Sequence, residues 1–174
     1  MNNTSLTSIS GFLLLTRITG HFTIETNSSL TSISGFPALT TIRNELTITG
    51  NSSLTSISGF PALISITSHF SIRNNPILIS ISGFSALINI RGDFLINLNS
   101  TLESVSGFSA LATIRGSLYI NSALVSGFNS LNPINYLLGS AYITSTNICQ
   151  TTYDSIYGYF GSELFFTGAI DSGC

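Results

Sequence analysis

Hydrophobic residues recur along this chain at fixed offsets within a period of 24. In the stretch Leu30 to Ser53, LTSISGFPALTTIRNELTITGNSS, they fall at Leu30, Ile33, Phe36, Leu39, Ile42, Leu46 and Ile48. The stretch recurs nearly intact from Leu54, and looser copies start at Leu6, Leu78 and Leu102. Leu46-Thr47-Ile48-Thr49 alternates apolar and polar, which predicts a half-buried strand. The spacing of three in Leu30–Ile33 and Leu39–Ile42 suits short strands or tight turns at corners. Ile and Thr dominate, and both favour extended backbone. No window carries the stripe of an amphipathic helix.

A Gly-Phe pair marks each period. Gly11-Phe12, Gly35-Phe36, Gly59-Phe60, Gly83-Phe84 and Gly107-Phe108 lie 24 apart, and Gly127-Phe128 follows after 20. Gly35 and its equivalents are expected at corners with positive φ, where only Gly is unstrained. Pro37 and Pro61, which lack an N–H, belong at turns. A fixed period of this length signals a solenoid, because one coil cannot bury its own apolar face but a stack can. The predicted fold is all-β, a parallel β-solenoid of about six 24-residue coils over residues 1–143. An irregular C-terminal cap covers 144–174, with a short helix around Tyr153 to Phe160. Phe12, Phe36, Phe60, Phe84, Phe108 and Phe128 then form one core column. Phe22, Leu46, Phe70, Phe94 and Leu118 form a second.

Asn3, Asn27, Asn51, Asn75 and Asn99 are also in register. An amide at an inward turn can pair backbone donors and acceptors together, so a buried amide ladder is one reading. Asn3, Asn27, Asn51 and Asn99 also begin N-x-S/T sequons, and Asn2 begins another, so glycosylation of a secreted protein is the second reading. A buried amide cannot carry a sugar.

The pattern L-x-x-I-x-G-F-x-x-L-x-x-I-x-x-x-L-x-I-x-x-N resembles the receptor L-domain type of leucine-rich repeat. It also resembles the L-T-S-I-x-G-F repeats of fungal and other microbial cell-surface proteins. SLTSISGFPALTTIRNELTITGN and ALATIRGSLYIN carry the resemblance, which spans about residues 5 to 143. It implies a right-handed coil and a cell-surface or extracellular location. The cysteine pattern and long insertions of hormone-receptor L-domains are missing.

Composition narrows the function classes. Charged residues make up 7%, the net charge is −2, and the five basic residues are all Arg. That cannot build a basic stripe, so nucleic acid is an unfavourable partner. No run of apolar residues is long enough for a membrane span or a signal-peptide core. Cys149 and Cys174, the only two cysteines, follow the repeats. A disulfide between them would staple the cap in an oxidising compartment. Two unrelated free thiols, or pairing with something beyond Cys174, are the alternatives.

Two outward faces are candidates for binding. Ser8, Ser32, Ser56, Ser80 and Ser104 form one hydroxyl column, and Ser10, Ser34, Ser58, Ser82 and Ser106 form the next. Such a flat array resembles the faces of solenoid ice-binding proteins. The second face is the column His21, Glu45, His69, Asp93, with Thr19, Arg43, Thr67, Arg91 and Arg115 beside it. Unlike charges on neighbouring rungs favour pairing. Parallel side chains converge poorly on a metal ion. No catalytic set, phosphate loop or cofactor motif stands out. The expected function is therefore non-catalytic: adhesion, recognition of a protein or carbohydrate surface partner, or end-to-end self-association into a coat or filament. Ice binding is the alternative. The first coil, with Leu6, Ile9, Phe12, Leu15, Ile18, Phe22 and Ile24, is expected to need a cover on its outer face.

Overall fold

The structure is a computed structural model that describes residues 3–122, 134–149, 153–154, 157–158, 161 and 164–171. Three parallel sheets enclose one apolar core, and each of the first five coils gives one strand to each sheet. Sheet A stacks β1 (Ser8–Ile9), β4 (Ser32–Ile33), β7 (Ser56–Ile57), β10 (Ser80–Ile81) and β13 (Ser104–Val105). Sheet B stacks β2 (Arg17–Ile18), β5 (Thr41–Ile42), β8 (Ser65–Ile66), β11 (Asn89–Ile90), β14 (Thr113–Ile114) and β16 (Tyr136–Leu137). Sheet C has the longer strands. They are β3 (Phe22–Glu25), β6 (Leu46–Thr49), β9 (Phe70–Arg73), β12 (Phe94–Asn97), β15 (Leu118–Ser122), β17 (Ala141–Cys149) and β18 (Leu164–Asp171).

Register follows the 24-residue period without slippage through β15: Ser32 faces Ser56, Ile42 faces Ile66 and Ile48 faces Ile72. A one-residue slip would turn every core side chain outward, so the buried Leu, Ile and Phe set fixes the pairing. Leu30, Ile33, Leu39, Ile42, Leu46 and Ile48 are fully buried, as are their equivalents from Leu54 on. The Phe column stacks from Phe12 to Phe108 with ring centroids 4.9, 5.1, 5.0 and 5.3 Å apart. Phe70 and Phe94 meet it edge-on, the other geometry favoured by ring quadrupoles. Phe128 lies outside the described residues.

Gly11 has the positive φ expected of the Gly-Phe glycines, 93°, but from the second coil to the fifth the glycine is needed for a different reason. Gly35 and Gly59 do not have positive φ. A Cβ on Gly35 would lie 2.5 Å from the Ser10 Cα, and one on Gly59 would lie 2.9 Å from the Ser34 Cα. The coils touch backbone to backbone here, and the missing side chain lets them close. Positive φ also occurs at Thr26, Gly50, Asn74 and Leu98, each the residue before a ladder Asn. Pro37 and Pro61 sit in turns as expected.

Sheet C runs past the expected start of the cap at residue 144, because β17 spans that point and β18 adds another parallel strand. Residues 153–154 and 157–158 are helical. The Tyr153 and Tyr157 rings stack at 6.0 Å, and Tyr153 meets Phe166 edge-on at 5.1 Å. Among the described residues no helix is long and apolar enough to cross a membrane.

Candidate binding faces

The Asn column is a structural ladder. Asn27, Asn51, Asn75 and Asn99 are buried. The Asn51 Oδ1 accepts the Asn27 backbone N–H at 3.1 Å, and the Asn75 Oδ1 accepts that of Asn51 at 3.1 Å. Each Nδ2 donates to backbone carbonyls of sheet C strands. For Asn75 these are Ile48 at 3.2 Å and Arg73 at 3.0 Å. A glycan on Asn27, Asn51 or Asn99 would have to pull the amide out of this ladder. Asn3 is exposed, and the sequon residue Asn2 lies outside the described residues.

The two Ser columns face outward. Ser8 is exposed, Ser32, Ser56, Ser80 and Ser104 are half-buried, and Ser10, Ser34, Ser58, Ser82 and Ser106 are exposed. Neighbouring Thr hydroxyls are consumed internally. Thr31 and Thr55 donate to the carbonyls of Thr7 and Thr31 at 3.0 and 3.1 Å, and Thr40 donates to Thr16 at 2.9 Å. Among the described residues no comparable bond involves the hydroxyls of these Ser columns, which face solvent or a partner.

The His and acid column pairs along the solenoid axis. His21 Nδ1 lies 3.3 Å from Glu45 Oε1, and His69 Nδ1 lies 3.2 Å from Asp93 Oδ2. The two rings are used differently. Asn44 accepts the Glu45 N–H with its Oδ1, so its amide nitrogen faces His21 Nε2 at 3.2 Å. A neutral His21 then carries its proton on Nδ1, donated to Glu45. At His69 the Asp93 backbone N–H donates to Nδ1 at 3.0 Å, so a neutral ring there is protonated on Nε2. Asp93 Oδ1 in turn accepts the Ser117 N–H at 2.8 Å. Each His thus lies beside an acid, but of the two only the neutral His21 donates to its neighbour, and Arg does not join the column. Among the described residues none of Arg17, Arg43, Arg73, Arg91 and Arg115 is in an ion pair. The reason is placement: Arg43, Arg91 and Arg115 leave sheet B, whereas the His and acid residues enter sheet C. No three His, Cys, Asp or Glu side chains converge among the described residues.

This column borders a shallow groove of about 570 Å³ on the outer face of sheet C. Glu25, Glu45, His69, Arg73 and Asp93 line it with the hydroxyls of Thr47 and Ser71, and Leu95 closes one end. From Leu95 the same outward position continues through Tyr119, Tyr142 and Phe165 on successive strands. Tyr119 stacks on Tyr142 at 4.9 Å and Tyr142 on Phe165 at 5.0 Å. Their exposures are 37%, 40% and 53%, high for rings on a sheet whose inner face already fills the core. Because the rings cover one another's faces, the ladder presents edges and phenol oxygens outward. Asn97, Asn121, Thr144 and Thr167 form the polar column beside it, with Thr144 and Thr167 bonded at 2.8 Å. The echo of Gly116-Ser117-Leu118-Tyr119-Ile120 in Gly139-Ser140-Ala141-Tyr142-Ile143 is the sequence signal for this ladder. Its step of 23 rather than 24 hides it.

Cys149 ends β17, and Cys174 lies outside the described residues, so their expected pairing does too. Comparison with protein-family models, curated proteins and solved structures found no match to the chain.

Proposed function

We propose that the chain is a non-catalytic extracellular or cell-surface solenoid of the receptor L-domain-like type, which binds a protein or carbohydrate partner through the outer face of sheet C. The observation that carries this reading is the exposed ladder of Leu95, Tyr119, Tyr142 and Phe165. The fold gains little from aromatic rings on a solvent face where coils 1 to 3 carry Thr23, Thr47 and Ser71. Aromatic residues are enriched where partners dock. The bordering groove supplies charge and hydroxyls for orientation. The test is binding of labelled protein to cell surfaces of its source, comparing wild type with a Tyr119→Ser/Tyr142→Ser variant. The expected loss is about tenfold or more, as for hot-spot aromatics. Equal binding by the variant and wild type, or no binding by either, would overturn the reading.

Ice binding is the second reading, favoured by the unpaired Ser hydroxyls of sheet A. Under the leading reading neither thermal hysteresis nor recrystallisation inhibition appears. Their appearance in wild type and loss in a Ser58→Tyr/Ser82→Tyr variant would shift the function to that face.

A further inference from the structure

Charge is segregated around the solenoid. Four of the five Arg residues, Arg17, Arg43, Arg91 and Arg115, lie in sheet B strands or directly after them. The acids Glu25, Glu45 and Asp93 lie in sheet C or at its entrance. On the sheet B flank a groove of about 370 Å³ is lined by Arg91 and Arg115 with Ser65, Asn89 and Thr113. It has no carboxylate in its wall. The Thr67 hydroxyl beside it is spent on the Arg43 carbonyl at 2.6 Å. By contrast, among the described residues no bond occupies the side chains of Ser65, Asn89 and Thr113.

Arg91 and Arg115 occupy adjacent rungs, as the bonds from Arg91 N–H to the Ile66 carbonyl and from Arg115 N–H to the Ile90 carbonyl show. Adjacent strands are about 4.8 Å apart. Like charges on neighbouring rungs oppose folding. Lower in the same column the sequence avoids this by alternating Thr19, Arg43, Thr67, Arg91. The alternation breaks only at Arg115. An anion held between the two guanidiniums turns that repulsion into a pair of charge-assisted hydrogen bonds.

We propose that this groove is a binding site for an acidic saccharide, independent of the sheet C face. Arg91 and Arg115 take its anionic group, while Ser65, Asn89 and Thr113 take ring hydroxyls. The hydroxyl and amide column beside the two cations is what selects a sugar over a bare oxyanion.

The test is titration calorimetry at low salt with a sulfated disaccharide, its unsulfated parent and inorganic sulfate. Arg91→Thr and Arg115→Thr place the residue that the same column already carries at Thr19 and Thr67, so the fold tolerates both. Arg17→Thr removes the same charge from sheet B outside the groove and places there the residue that its register partner Thr41 already carries. The expected result is that the sulfated disaccharide binds, and that each of Arg91→Thr and Arg115→Thr weakens it by about tenfold. Arg17→Thr leaves binding unchanged, the unsulfated parent does not bind, and Asn89→Ala weakens the disaccharide but not inorganic sulfate. No binding of the sulfated disaccharide, or an equal loss in Arg17→Thr, overturns the site. Inorganic sulfate binding as tightly as the disaccharide overturns its assignment to a saccharide.

Discussion

Thr26, Gly50, Asn74 and Leu98 share one backbone geometry, with φ between 54° and 69°, that turns the chain inward before each ladder Asn. For an L side chain this conformation costs about 1–2 kcal/mol. Glycine removes that strain but loses about 0.5–1 kcal/mol of chain entropy. Thr26→Gly is therefore expected to stabilise by about 0.5–1 kcal/mol, read as a higher denaturant midpoint at unchanged slope. The strain at Leu98 is notable because its side chain is 62% exposed and takes no part in the core. Gly59 behaves in the opposite sense. In Gly59→Ala the new Cβ meets the Ser34 Cα and carbonyl carbon at 2.9 and 3.0 Å, and neither is the end of a flexible side chain. The coils must part, at about 1–3 kcal/mol, and a melting temperature equal to wild type would contradict that contact.

The coil closes through the Asn turn. Asn75→Ala removes the donor to the Ile48 and Arg73 carbonyls and the acceptor for the Asn51 N–H at once. Each buried group left unpaired costs about 1–3 kcal/mol, so the expected loss by equilibrium unfolding exceeds about 3 kcal/mol. Asn3→Ala, at an exposed rung, is expected to cost much less. This element was legible in the sequence because one residue type repeats in strict register and only one orientation pairs its backbone. The Phe columns were legible for the same reason. The inward turn before the Asn was not, since Thr26, Gly50, Asn74 and Leu98 share no side-chain chemistry. The Gly-Phe glycine was legible as a constraint but not as a close approach, because both causes leave the same residue. The aromatic ladder was hidden by its 23-residue step. The isolation of the Arg side chains was hidden because register aligns rungs but does not say toward which flank a corner residue points.

At the scale of the molecule, the first coil of the stack differs from its middle. The outer side of the first coil is an apolar cavity of about 560 Å³ lined by Leu6, Ile9, Phe12, Leu15, Ile18 and Phe22. The equivalent residues of later coils are fully buried, whereas Phe12 is 49% exposed. Each Å² of apolar surface covered is worth about 25 cal/mol, so this face favours association. The 174-residue chain is expected to sediment with a concentration-dependent mass at micromolar levels. A single monomeric species with a cooperative melt would contradict end-to-end assembly. The amide ladder has a further consequence. Every link from Asn3 to Asn99 has the same donor, acceptor and direction, so no rung depends on how many others precede it. Chain length is then a free variable of the architecture. A tandem duplication of one 24-residue block would splice in without a misfit on either side. The domain could lengthen by whole repeats while its lateral faces keep their chemistry, and only the reach of those faces would change.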